Sequence, residues 1–132
     1  MSKKKIVFTE KAPKPIGPYS QAVIVDKFIF LSGQIGISPQ TANLVEGGIV
    51  AETKQIFANL KAVLESANSS LDNIVKTTVY LTNLSKFSEM NNIYNEYFTE
   101  DYPARATIQV SALPKGACVE IEAIAVLNDS KI

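Results

Sequence analysis

The residues best suited to chemistry lie near the C-terminal end of the chain. The run Tyr102-Pro103-Ala104-Arg105 leads into a short alternating strand and a turn, and then into Val119-Glu120-Ile121-Glu122-Ala123-Ile124-Ala125. Arginine grips a carboxylate with a planar fork of donors. A partly desolvated glutamate exchanges protons near neutral pH. The chain contains no histidine, so acid–base chemistry falls to carboxylates, tyrosines or lysines. The same absence excludes a serine or cysteine nucleophile served by a histidine base.

The elements that must position these groups follow from periodicity. Residues 12–18 hold three prolines and resist helix. Residues 20–25 and 28–34 read as strands, with Asp26-Lys27 as a hairpin turn. Residues 35–48 are loop-like, punctuated by Gly36, Pro39, Asn43 and Gly47-Gly48. A helix follows over 50–67, because Ile56, Leu60, Val63, Leu64 and Ala67 share one face at helical spacing. Residues 74–82 are β-branched and read as a strand, with Val75, Val79 and Leu81 on one side. Leu84-Ser85 opens a second helix with Ser85 as N-cap and a stripe of Phe87, Met90, Tyr94, Tyr97 and Phe98. Pro103 lies beyond its end. Strands over 105–111 and 118–126 close the chain, joined by Leu113-Pro114-Lys115-Gly116. The order β-β-α-β-α-β-β implies an α+β layer with both helices on one sheet face.

Pairing the last two strands as a hairpin gives their faces. Ala106, Ile108 and Val110 alternate with Arg105, Thr107 and Gln109, and Val119, Ile121 and Ala123 alternate with Glu120, Glu122 and Ile124. If the apolar sets share the helix face, the other face carries Arg105, Thr107, Gln109, Glu120 and Glu122 together with Ile124 and Val126. A solvated face rarely keeps that aliphatic pair. The expectation is that it packs on another subunit, with its polar residues lining a cleft there. On this pattern Arg105 fits a structural cross-strand pair with Glu120 or Glu122 as well as a ligand site, and the two glutamates are not distinguished.

Composition bounds the alternatives. At 132 residues the chain is one domain, long enough to bury roughly two-thirds of its unfolded surface. Thirteen basic residues balance thirteen acidic ones, so the broad basic field of nonspecific nucleic-acid binding is missing. Lys3-Lys4-Lys5 reads as a solvated tail. Cys118 is the single cysteine, which excludes an intrachain disulfide and, without histidine, the usual zinc site. No apolar stretch approaches membrane-span length and no secretory segment follows the N-terminal lysines, so the expected compartment is the cytoplasm.

Further residues carry weaker signals. Tyr19 follows the rigid Gly17-Pro18 step and fits either a ligand contact or a cover for the core edge. Gly33 in Ser32-Gly33-Gln34 fits either a bulge or close approach of backbone to a ligand. Asn91 lies on the apolar side of the second helix and needs partners there. Cys118 has no activating base nearby in sequence and reads as a small packing residue.

Six segments together resemble the RidA/YjgF family of reactive intermediate deaminases. They are Ile16-Gly17-Pro18-Tyr19-Ser20-Gln21, Leu31-Ser32-Gly33-Gln34-Ile35, Asn59-Leu60-Lys61-Ala62-Val63-Leu64, Ile74-Val75-Lys76-Thr77-Thr78-Val79, Tyr102-Pro103-Ala104-Arg105, and Leu113-Pro114-Lys115-Gly116 running on into Val119 through Ala125. The resemblance spans nearly the whole chain. It implies a chorismate-mutase-like α+β fold, a homotrimer and three sites in the clefts between subunits. It also implies hydrolysis of enamines and imines such as 2-aminoacrylate and 2-iminobutanoate to 2-oxo acids and ammonia, with no cofactor or metal. Arg105 would hold the substrate carboxylate and Glu120 would position water and handle protons. Tyr19, Ser32, Gly33, Asn91 and Thr107 would line the pocket. Many members carry cysteine where this chain has Thr107, so any thiol role at that position is absent here. Glu122 would then serve the fold. Two other functions compete: a non-catalytic trimer that senses small carboxylates, and RNA-directed cleavage or translation inhibition. The neutral charge and the lack of an aromatic stacking platform weigh against the second.

Overall fold

A computed structural model describes residues 3–128. The elements run β1 (Lys5–Val7), β2 (Ala22–Val25), β3 (Phe28–Gln34), α1 (Gly48–Ser66), β4 (Ile74–Leu81), α2 (Phe87–Tyr97), β5 (Ala104–Gln109) and β6 (Val119–Val126). The strands form one mixed sheet in the order β1-β2-β3-β6-β4-β5, with both helices against one face. The expected strand and helix order holds, with one strand added in front. Lys5 opens that strand and pairs with Ile24, so only part of the lysine run is a tail.

The helix face of the sheet is the core. Ile56, Leu60, Val63 and Leu64 of α1 are all fully buried there, as the periodicity requires. Asn68, in the left-handed region at φ 61°, turns the chain out of the helix. Phe57 stacks on Tyr97 at 4.4 Å between ring centroids and meets Tyr94 and Phe98 edge-on, each at 5.6 Å. This aromatic cluster ties α1 to α2. Asn83, rather than Ser85, caps the second helical segment: its side-chain oxygen accepts from the Ser85 N–H at 3.0 Å, and a single 3₁₀ turn precedes α2.

The topology corrects the closing hairpin. β5 and β6 are not neighbours. β6 lies between β3 and β4, antiparallel to both, and β5 pairs parallel with β4 at the sheet edge. The Leu113–Gly116 connection therefore crosses over β4 instead of turning back. Register follows: Arg105 sits beside Thr77 and Thr107 beside Val79, both buried residues of the helix face. Ala106 and Ile108 take the outer face, where Ile108 is 45% exposed. Alternation alone misassigned the β5 faces because an edge strand exposes both of its sides. A bulge between Ile74 and Lys76 likewise turns Val75 outward, away from buried Val79 and Leu81.

The outer face is apolar where β2 and β3 meet the C-terminal half of β6. Phe28 and Phe30, 41% and 45% exposed, lie in register beside Val126 and Ile124. Among the described residues no helix is long and apolar enough to cross a membrane.

Candidate active site

Arg105 is the chain's only arginine, and three residues of the helix layer fix it. Its Nη1 donates to Asn91 Oδ1 at 2.8 Å. Its guanidinium lies 4.6 Å from the Tyr94 ring centroid and 5.5 Å from that of Phe87, within cation–π range. The Tyr94 hydroxyl shares a hydrogen bond of 2.8 Å with buried Thr77 Oγ1. Burial raises the Tyr94 pKa, and the Thr77 bond and the Arg105 charge oppose that shift. The phenol therefore stays neutral. Asn95, Tyr102 and Pro103 complete an open pocket of about 400 Å³ around Asn91, Tyr94 and Arg105. Among the described residues the one ion pair is Lys86–Glu89, at 3.4 Å on the surface. Arg105 thus pairs with neither Glu120 nor Glu122. Thr107 lies two residues further along the same face, and its hydroxyl oxygen is buried with no partner.

Glu120 occupies a different place. It lies on the outer face of β6, beside Tyr80 of β4, in an open cleft of about 470 Å³. Tyr19, Ser32, Gly33 and Glu122 line the same cleft, with Ile16 from the proline-rich strap and Pro114 from the crossover. Desolvation raises the Glu120 pKa above the usual glutamate value, and the charge of Glu122 raises it further. The carboxyl thereby holds its proton closer to neutral pH. Glu122 is exposed and enters no ion pair among the described residues. Its interaction is with the Tyr80 hydroxyl, whose pKa rises from burial, then from the Glu122 charge and the hydrogen bond to it.

The walls of this cleft are held by buried amides. Gln21, 2% exposed, accepts from Thr9 N–H at 2.7 Å and donates to the Thr9 and Pro13 carbonyls at 3.0 and 2.9 Å. It pins the strap that carries Ile16 and Tyr19. Ser32 Oγ donates to the Ser20 carbonyl at 2.6 Å. Asn59 on α1 donates to the Ile37 carbonyl at 2.9 Å and fixes the loop at the far wall. Gln21 and Asn59 carried no assigned role in the sequence. Their signal was a polar amide set among residues that a strand face and a helix stripe bury. In the sequence Tyr94 and Phe87 stand only as part of a helix stripe, because nothing local marks them as the seat of Arg105.

The structure therefore gathers the expected residues into two groups. Arg105, Asn91 and Thr107 share the helix side of the β5 edge. Tyr19, Ser32, Gly33 and Glu120 share the outer-face cleft. One chain does not bring Arg105 and Glu120 into a single cavity. Cys118 belongs to neither group: its N–H donates to buried Glu52 at 2.8 Å. Burial, and then the Glu52 charge, push its thiol pKa up, away from thiolate chemistry. Among the described residues no cluster of acidic and cysteine side chains could hold a metal ion.

Comparison with known proteins places this arrangement. The family model described as Endoribonuclease L-PSP matches residues 9–127. A RutC family protein of Pyrococcus abyssi is 55% identical over 122 residues, which is 92% of this chain and 96% of that protein. The 2-iminobutanoate/2-iminopropanoate deaminase of Homo sapiens is 49% identical over 123 residues, 93% of this chain and 90% of that one. The crystal structure of Escherichia coli TdcF with bound serine superposes with a TM-score of 0.89 at 38% identity, covering 94% of this chain and 99% of that one.

Proposed function

The chain belongs to the RidA/YjgF family, and on that premise we propose that it hydrolyses reactive 2-imino acids to 2-oxo acids and ammonia. The observation that carries this reading is the solitary guanidinium. Arg105 is half-buried, fixed by Asn91 and two rings, and has no carboxylate partner among the described residues. A planar donor fork held in place without an anion suits the carboxylate of a small substrate. The deaminases at about half identity act, by name, on substrates that carry such a carboxylate.

Glu120 supplies the second function. The imine carbon is attacked by water, a C–O bond forms, and the nitrogen takes a proton. The carbinolamine then loses ammonia as the C–N bond breaks and the carbonyl forms. A carboxyl with a raised pKa can donate the proton to nitrogen and take one back from water. Holding the carboxylate and one water in place contributes the rest.

The two groups lie apart in one chain, so the reading requires a second copy. The apolar outer face of Phe28, Phe30, Ile124 and Val126 is the proposed contact between subunits, in a homotrimer of about 43 kDa (three times the 14.4 kDa chain). There the β5 edge of one subunit would close the Glu120 cleft of the next. A threonine dehydratase that generates 2-iminobutanoate tests the activity directly. Faster loss of the imine with the protein present is the expected result. Absence of any acceleration, with 2-oxobutanoate still bound, would favour the carboxylate-sensing function instead.

A further inference from the structure

Gly33 sits in β3 within the register shift between Leu31 and Gln34, against β6. Glycine is normally demanded by a left-handed backbone, but that reason fails here. The glycines with positive φ are Gly47, Gly48 and Gly116, and Gly33 is not among them. Any residue could adopt its backbone conformation.

Space supplies the reason. A Cβ built on Gly33 would overlap Glu120 Oε2 and lie 2.9 Å from Cδ and 3.1 Å from Cγ. The carboxylate of Glu120 lies on the bare Cα of Gly33. Gly36 makes an instructive contrast. A Cβ there would meet Glu52 Cα at 2.7 Å and Glu52 O at 3.0 Å, so the main chain of α1 would have to move. At Gly33 the obstacle is the far end of one flexible side chain in an open cleft.

We propose that Gly33 is a positioning residue for Glu120: its missing side chain forms the seat that holds the carboxylate at the cleft wall. This rests on Glu120 being the acid–base group. A methyl at position 33 leaves the sheet intact and swings the carboxylate away from the wall. The bulge presents that surface, and Ser32, bonded to the Ser20 carbonyl, anchors it on one side. Around the cleft, the titratable groups facing Glu120 are Glu122 on β6, Tyr80 on β4, and Lys14 and Tyr19 on the strap. β3 adds none. A displaced carboxylate regains water, so its protonation returns toward the ordinary glutamate range.

The test is a double-mutant cycle on the full chain with Gly33→Ala, Glu120→Gln and both together. Gly33→Ala is expected to keep the assembly state while kcat falls by about 10²-fold. The pH limb assigned to Glu120 should move to lower pH. In the double variant the losses should not multiply, because Gly33 acts only through Glu120. Wild-type turnover in Gly33→Ala, or losses that multiply, would overturn the proposal. If Gly33→Ala assembles poorly, Gly33→Ala/Glu120→Ala lacks the three Glu120 atoms nearest the methyl and should assemble normally. Failure of that variant would place the strain elsewhere and overturn the seat. Wild-type turnover in Glu120→Gln alone would instead remove the underlying reading of Glu120.

Discussion

The Arg105 pocket and the Glu120 cleft are built on opposite principles. Arg105 is gripped by side chains: Asn91 takes one N–H, Tyr94 and Phe87 stack beneath, and the Phe57 cluster supports Tyr94 from the core. Glu120 has no such partners. It is confined by backbone shape, by a bare glycine, and by a strap and loop pinned from behind by Gln21 and Asn59. The difference suits the two tasks. A group that binds a fixed carboxylate gains from being locked, because it loses little side-chain entropy on binding. A group that moves protons gains from a desolvated place without a cation to hold it ionised.

Breaking each group in turn should expose the contrast. Glu120→Gln keeps shape and removes the ionisable group, and about 10²–10⁴ in kcat should disappear. Binding of 2-oxobutanoate should survive. Glu120→Gln should also stabilise the fold at neutral pH. The folded pKa of Glu120 is raised, so its contribution is favourable below the unfolded glutamate pKa and is lost as pH rises through the folded value. Thermal melts of the two proteins should therefore converge in acid and separate toward neutral pH, with the Gln variant melting higher. A lower melt at neutral pH would mean that the carboxylate is paired in solution.

Arg105→Lys keeps the charge but loses the fork and the ring stacking, and should cost at least about tenfold in kcat/KM through weaker binding. Mixing the two impaired proteins then tests where the site lies. If Arg105 and Glu120 meet across subunits, co-refolded mixtures should regain about a quarter of wild-type activity by random assortment. A site within one chain would regain nothing.

Asn91→Ala should act more mildly. It removes the neutral acceptor that orients the guanidinium while the rings remain. KM should rise by roughly tenfold with kcat little changed, in line with the usual worth of a hydrogen bond to a charged group. Steady-state kinetics on the variant separate these parameters directly.

Much of this was legible in the sequence, for reasons that differ by element. The α1 stripe and the β2–β3 hairpin are local patterns, and both appear in the structure where periodicity put them. The faces of β5 were not local. Whether Arg105 points to the helices depends on β5 joining β4 in parallel, which no spacing within residues 104–126 encodes. The hairpin assumption moved Arg105 and Thr107 to the wrong side of the sheet and left Glu120 and Glu122 indistinguishable. Glu120 stands out in the structure for its half-burial and its glycine seat. Glu122, two residues away on the same face, stays exposed. The clamp made by Gln21 reaches back twelve residues to Thr9, a span that composition does not reveal.

The finest test lies at Thr107, which belongs to the Arg105 group. Its hydroxyl oxygen is buried without a partner. An orphaned hydroxyl carries a desolvation cost that an apolar group of the same shape avoids. Thr107→Val is isosteric, so packing beside Val79 on the helix face is preserved. The variant should be as stable as the wild type or more stable by up to about 1 kcal/mol, measured by chemical denaturation. Thr107→Ser keeps the hydroxyl but drops the methyl, and should lose stability relative to Val. Thr107→Cys introduces a softer side chain whose weak donor tolerates the apolar surroundings, and should match Val more closely than Ser. If Val proves clearly less stable than Thr, the hydroxyl finds a partner in solution. The outer edge of β5 has no strand neighbour among the described residues, and either a buried water or a group of another subunit would serve as that partner.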